Sequence, residues 1–199
     1  MQQVDKEEQK QPEARATSKA ETVLREIEKR AKHKFLPIVG REKGQFLAEA
    51  VRKAKPKRVL EVGTLIGYSA ILIGKELNED AQIITIEIHA DEAETAEENI
   101  RKAEIPAKVE VIIGDALQVI PKLEGHFDFA FIDAAKNEYF DYLRLTEDKL
   151  HKGAVIVADN AGIFANQMKN YLDYVRTSGK YRSKYVPVGV DGIEISIKT

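Results

Sequence analysis

Short apolar runs separated by longer amphipathic stretches fill residues 58–198, and this alternation restricts the fold more than any other feature of the chain. The runs are RVLEV (58–62), IITIEI (83–88), KVEVII (108–113), FDFAFID (127–133), AVIVAD (154–159), SKYVPV (183–188) and GIEISIK (192–198). Helical spacing of apolar residues fills the gaps between them at 68–77, 92–103, 115–123, 139–150 and 167–177. Strands alternating with helices predict βαβ units, hence an α/β fold with a parallel sheet and helices on both faces. Only GVD separates the last two runs, too short for a crossover, so strand seven is expected to run antiparallel to strand six.

Ahead of the first strand, Val23, Leu24 and Ile27 recur at helical spacing, and Phe46, Leu47, Ala50 and Val51 form one face of a second helix that Pro56 ends. Residues 1–18 are polar and nearly free of large apolar side chains, so they cannot offset the entropy of ordering. They are expected to form a mobile N-terminal tail, and residues 19–199 a single domain. The 31 basic and 33 acidic residues are mixed along the chain, with a net charge of −2. No basic stripe invites a phosphate backbone, so RNA is not the favoured partner. Cysteine is absent, which removes disulfides, thiolate metal sites and thiol nucleophiles together. No apolar run reaches the roughly 18–20 residues of a membrane span, and a cytoplasmic location is the expectation.

The stretch RVLEVGTLIGYSAILIG places a glycine turn between a buried strand and a helix, where backbone N–H groups favour an anionic ligand group. A dinucleotide fingerprint reads G-x-G-x-x-G, but Leu65 stands at its second glycine. That disfavours a pyrophosphate and leaves room for a nucleoside cofactor without one, of which S-adenosylmethionine is the commonest. Glu61 in the strand end would repel a pyrophosphate and suits a ligand carrying an ammonium and a sulfonium. Glu87, ending strand two, is placed to take ribose hydroxyls, and Asp115, after strand three, to accept from the adenine amino group.

Strand four ends at Asp133 and strand five at Asp159 and Asn160. Taken alone, Asp159 and Asn160 also suit the cap of a strand-to-helix loop. Together with Asp133 they offer two carboxylates and an amide carbonyl, hard oxygen ligands appropriate to Mg²⁺ or another divalent cation. The four histidines show no metal spacing.

With these segments assembled, the chain resembles the cation-dependent O-methyltransferases of the catechol and caffeoyl-coenzyme-A type. The resemblance runs from about Phe35 to Lys198 through VGREKGQFL, LEVGTLIGYSA, IEIHADEAETAEENI, GDALQVIPKL, FIDAAKNEYFDYL, GAVIVADN and VDGIEISI. It implies a Rossmann-like seven-stranded methyltransferase sheet, mostly parallel with an antiparallel last strand, and makes 19–199 one S-adenosylmethionine-dependent methyltransferase domain. By position it implies that Asp133, Asp159 and Asn160 hold the metal, that Lys136 deprotonates the attacking hydroxyl, and that Glu194 hydrogen-bonds a catechol's second hydroxyl. Val39, Glu61, Gly63, Thr64, Tyr68, Ser69, Glu87, Ile88, Asp115, Ala116 and Asp133 are the expected cofactor contacts.

Three departures bear on the acceptor. Ala134 and Ala135 stand where the catechol enzymes have a histidine and a tryptophan, which removes one wall of the substrate pocket. Phe35 replaces a second aromatic wall residue, and only AGIFANQ follows the metal pair in place of the plant enzymes' long loop. The expected acceptor is a catechol-like small molecule, with a hydroxylated uridine of tRNA as the alternative. A dinucleotide-dependent oxidoreductase and a non-catalytic binding module are the readings from other classes. The helical segment 21–36 suits either a cover for the cofactor or a homodimer contact.

Overall fold

The computed structural model describes residues 18–199. The mobile-tail expectation for 1–18 therefore lies outside the described residues, except at Ser18. There the hydroxyl accepts from Glu21 N–H at 3.2 Å and caps the first helix. In chain order the elements are α1 (Lys19–Ala31), α2 (Gly40–Ala54), β1 (Arg58–Val62), α3 (Tyr68–Gly74), β2 (Gln82–Glu87), α4 (Ala90–Ala103), β3 (Lys108–Ile113), α5 (Ala116–Val119), β4 (Phe127–Ile132), α6 (Tyr139–Glu147), β5 (Leu150–Ala158), α7 (Lys169–Thr177), β6 (Tyr181–Val188) and β7 (Asp191–Lys198).

The seven strands form one sheet in the order β3-β2-β1-β4-β5-β7-β6. β1 to β5 are parallel, and β7 runs antiparallel to both β5 and β6. The two-residue connection after β6, Gly189 and Val190, dictates its pairing with β7; the insertion of β7 between β5 and β6 is a tertiary choice. β5 begins four residues earlier than expected, at Leu150, and its register shifts between Phe127 and Phe129 of β4. The helix expected over 139–150 stops at Glu147 accordingly.

Central strands lack apolar/polar alternation because both faces are covered. Val59, Ile83, Phe129, Phe131 and Val157 point into a core with α1, α2 and α3, and α4 packs beside α1 and α3 on that side. Leu60, Ile84, Ala130, Ile132 and Ile156 point into a second core with Tyr139 and Leu143 of α6 and Tyr171 and Val175 of α7. Helices thus change face between β3 and β4, and strand order reverses between β1 and β4. That reversal opens a crevice beyond the carboxyl ends of the strands. α1 buries Ala20, Val23, Leu24 and Ile27 against its own domain, which accounts for its apolar stripe without a partner chain.

Candidate active site

The sheet's hydrogen-bond ladder runs one residue past the strands and fixes where the site begins. Gly63 N–H donates to Ile86 O at 3.0 Å, Asp133 N–H to Val62 O at 2.9 Å, Gly114 N–H to Glu87 O at 2.8 Å and Asp159 N–H to Ile132 O at 3.1 Å. Four loop residues from different strands are thereby pinned along one sheet edge.

Gly63 has φ +98, and a Cβ there would sit 2.1 Å from the Asp133 carbonyl oxygen, so both backbone conformation and close approach require glycine. Leu65 also lies in the left-handed region, at φ 48. Its N–H donates to Glu87 Oε2 at 2.7 Å, while Glu87 Oε1 accepts from His89 N–H at 3.0 Å. The carboxylate of β2 therefore holds the loop after β1 in a conformation that costs a leucine about 1–2 kcal/mol.

These turns enclose a cavity of about 380 Å³. It is lined by Val39, Gly63, Thr64, Tyr68, Ser69, Glu87, Ile88, Asp115, Ala116 and Asp133, ten of the eleven positions expected to meet a cofactor. Glu61 is the exception. It lies fully buried rather than on the lining, with Oε2 accepting from the Thr85 hydroxyl at 2.6 Å and Oε1 unpaired. Burial pushes its carboxyl up to about 7. Tyr68 reaches out of the cavity to donate to Glu28 of α1 at 2.7 Å, tying the N-terminal helix to the rim.

Beside the cavity, Lys136 Nζ donates to Asp133 Oδ1 at 2.7 Å and to the Tyr139 hydroxyl at 2.8 Å. Tyr139 is itself fully buried, so Lys136 Nζ is anchored on a rigid support. Asp159 is buried near Asp133, and burial together with that like charge pushes its carboxyl up to about 7. Lys43 of α2 approaches it at 2.6–2.7 Å and also donates to Asp191 Oδ2 at 2.9 Å. Asp159 Oδ1 is close to this ammonium but misaligned, and has no hydrogen bond. Asn160 takes φ 61, a conformation asparagine tolerates better than most residues. Its amide N–H donates to Asp191 Oδ2 at 2.8 Å, which turns its carbonyl oxygen away. Burial would raise Asp191, but hydrogen bonds from Lys43, Ile163 N–H and Asn160 hold it down at about 2.

Lys43 and Asp191 received no role from the sequence, although both lie in segments that carry the resemblance. Their signal was position within those segments, and only packing shows them to be the support of Asp159 and Asn160.

Three expectations need correction. Glu194 is fully buried on β7 and does not face the cavity. Arg176 of α7 grips it through two contacts at 2.9 and 2.6 Å and Ser183 donates to it at 2.8 Å, so it is committed as the acceptor of an internal ion pair. Phe35 is 93% exposed and forms no wall. Ala134 and Ala135 line the same cavity as Asp115 and Ala116, so the space their small side chains open lies at the cofactor site.

A family model for O-methyltransferases matches residues 14–176. The chain belongs to the O-methyltransferase family. It is 36% identical over 172 residues to catechol O-methyltransferase B of Danio rerio, a match covering 80% of this chain and 64% of that protein. It is 31% identical to catechol O-methyltransferase of Sus scrofa, covering 80% and 91%. The chain thus spans a little under two thirds of the first relative and most of the second. Among solved structures, O-methyltransferase TomG from Streptomyces achromogenes, in complex with S-adenosylmethionine, superposes with a TM-score of 0.78 at 25% identity, covering 89% of each chain. Membership accounts for the seven-stranded sheet with its reversed β7. No described helix is long and apolar enough to cross a membrane.

Proposed function

We propose that the chain is an S-adenosylmethionine-dependent, divalent-metal-dependent O-methyltransferase acting on a hydroxyl of a catechol-like small molecule. The observation that carries this reading is the juxtaposition of two separate chemistries at one sheet edge: a nucleoside-sized cavity and a cluster of hard oxygen donors. Relatives named as catechol O-methyltransferases support it.

The residues present fit the cofactor. Glu87 retains lone pairs for ribose hydroxyls after its two backbone bonds, and Asp115 Oδ1 caps α5 through Leu117 N–H at 2.9 Å while Oδ2 is left for the base.

They fit a divalent cation as well. Asp133 and Asp159 are close enough for mutual repulsion, which the Lys43 ammonium 2.6–2.7 Å from Asp159 offsets in part, and the Asn160 carbonyl oxygen is turned free by Asp191. Asp133, Asp159 and Asn160 would hold the ion. When bound it would lower the pKa of an acceptor hydroxyl by stabilising the oxyanion.

The chain's own part is positioning and proton removal. Tyr139 and Asp133 fix Lys136 Nζ at the boundary between cavity and donor cluster; as the neutral amine it keeps both donated bonds and one lone pair, with which it can receive the hydroxyl proton. S-adenosylmethionine, when bound, would supply an electrophilic methyl group to that oxygen, its sulfonium leaving as the neutral thioether. Holding both reactants in line supplies roughly 7–11 kcal/mol, more than the roughly 3–5 kcal/mol of a typical general base. Exposed Ile163 and Val190, in the segments that pack around Asp191, offer apolar contact to an aromatic acceptor.

The test is transfer of a labelled methyl group to catechols, phenolic esters and unmodified cell tRNA, with and without chelator. Chelator-sensitive labelling of a catechol is expected. Labelling of tRNA alone would replace the acceptor, and labelling unaffected by chelator would remove the metal from the reading.

A further inference from the structure

Two cavity residues have no part in the reading above: Glu138, in the turn that opens α6, and Tyr142, one helical turn on. Both line the cofactor cavity together with Asp115 and Ala116. Tyr142 is almost fully buried, and its hydroxyl donates to Glu138 Oε2 at 2.5 Å. α5, which Asp115 caps, packs against α6, so carboxylates from two different loops converge at one end of the cavity. Ala134 and Ala135 line the space beside them and place no bulk between Glu138 and a ligand.

α3, which Ser69 belongs to, packs on the first face of the sheet and α5 and α6 on the second, so Asp115 and Glu138 lie on the cavity's other face from Ser69, and Glu87, ending β2, suits the ribose. The base therefore falls between Asp115 and Glu138. A 6-amino purine presents two N–H hydrogens that diverge, and Asp115, with Oδ1 taken by Leu117 N–H, offers Oδ2 to one of them.

We propose that Glu138, clamped by Tyr142, is a second acceptor for the exocyclic amino group and makes this cavity selective for adenine over 6-oxo purines. The Tyr142 hydroxyl occupies Oε2, which orients the free Oε1 towards the base. A 6-oxo group would meet two acceptors with no hydrogen to share, an unpaired contact that recognition sites reject strongly. This inference rests on the S-adenosylmethionine reading and adds the residue that sets its base specificity.

The test is calorimetric titration of the full chain with S-adenosylhomocysteine and with S-inosylhomocysteine. Wild type should prefer the adenosyl ligand by at least tenfold. In Glu138→Gln, Tyr142 pins the amide oxygen and the amide NH2 faces the base, so adenosyl binding should weaken while inosyl binding strengthens, and the preference should fall at least tenfold. Tyr142→Phe frees the Glu138 carboxylate and should reduce the preference by a smaller factor. An unchanged preference in Glu138→Gln, or equal weakening of both ligands, overturns the role of Glu138 while leaving the cofactor reading intact. Failure of wild type to bind S-adenosylhomocysteine overturns both.

Discussion

At the residue scale, two acids of the site differ in what the chain does with their charge. Glu61 is buried and raised to about 7, so the folded protein binds its proton more tightly than the unfolded chain does. A carboxyl shifted in that direction costs stability progressively as pH rises from the ordinary value of 4.5 to about 7, on the order of 3 kcal/mol at 1.36 kcal/mol per unit. Glu61→Gln should therefore melt with wild type at pH 4.5 and at a higher temperature than wild type at pH 8, as read by circular dichroism. Asp133 serves differently, since it accepts from Lys136 and stands beside Asp159 at the proposed metal cluster. Lys136→Ala should lower kcat by about 10²–10⁴, the range of a general base. Asp133→Ala should lower it further, because metal and positioning are lost together; equal activity of wild type and Asp133→Ala in Mg²⁺ would refute the metal mechanism.

At the element scale, α6, α7 and β6 are joined through a single carboxylate. Glu147, the last residue of α6, is buried and accepts from Tyr174 at 2.8 Å, Tyr181 at 3.0 Å, Lys180 at 3.1 Å and from Arg144. Burial opposes its ionisation, but these donors hold the carboxyl below its usual range. Its stabilising contribution is then present above the unfolded value and lost as pH falls through the folded one. Glu147→Ala should cost about 3 kcal/mol in urea denaturation at pH 7, since it leaves several donors unpaired. The difference from wild type should shrink as pH falls below the usual carboxylate range. The strands and helices themselves were legible in the sequence because apolar period and glycine position are local. Their ends were less so: α6 stops at Glu147 and β5 starts at Leu150 because β5 extends its pairing along β4, a non-local choice.

At the scale of the whole molecule, ligand binding and stability are linked through the crevice at the β1/β4 reversal. S-adenosylhomocysteine at a hundredfold excess over its Kd should stabilise the fold by about 2.7 kcal/mol, a rise in Tm of roughly 5–10 °C for a chain of this size. A thermal-shift experiment in which NAD gives the rise and S-adenosylhomocysteine gives none would turn the reading back to a dinucleotide enzyme. The sequence by itself determined the strand–helix alternation, the glycine turn and the acids at successive strand ends, because parallel strands carry their carboxyl termini to one edge whatever the side chains do. Tertiary structure decided which of those groups remain free. Glu194 looked available by position, yet Arg176 from α7 reaches it and consumes its charge. Lys43 and Asp191, 148 residues apart, meet beneath Asp159 and Asn160. Such pairings depend on α2 docking against β4 and β5 and α7 against β6, and the energy of a charged contact is set by burial and partner distance, neither of which is a local property of the chain.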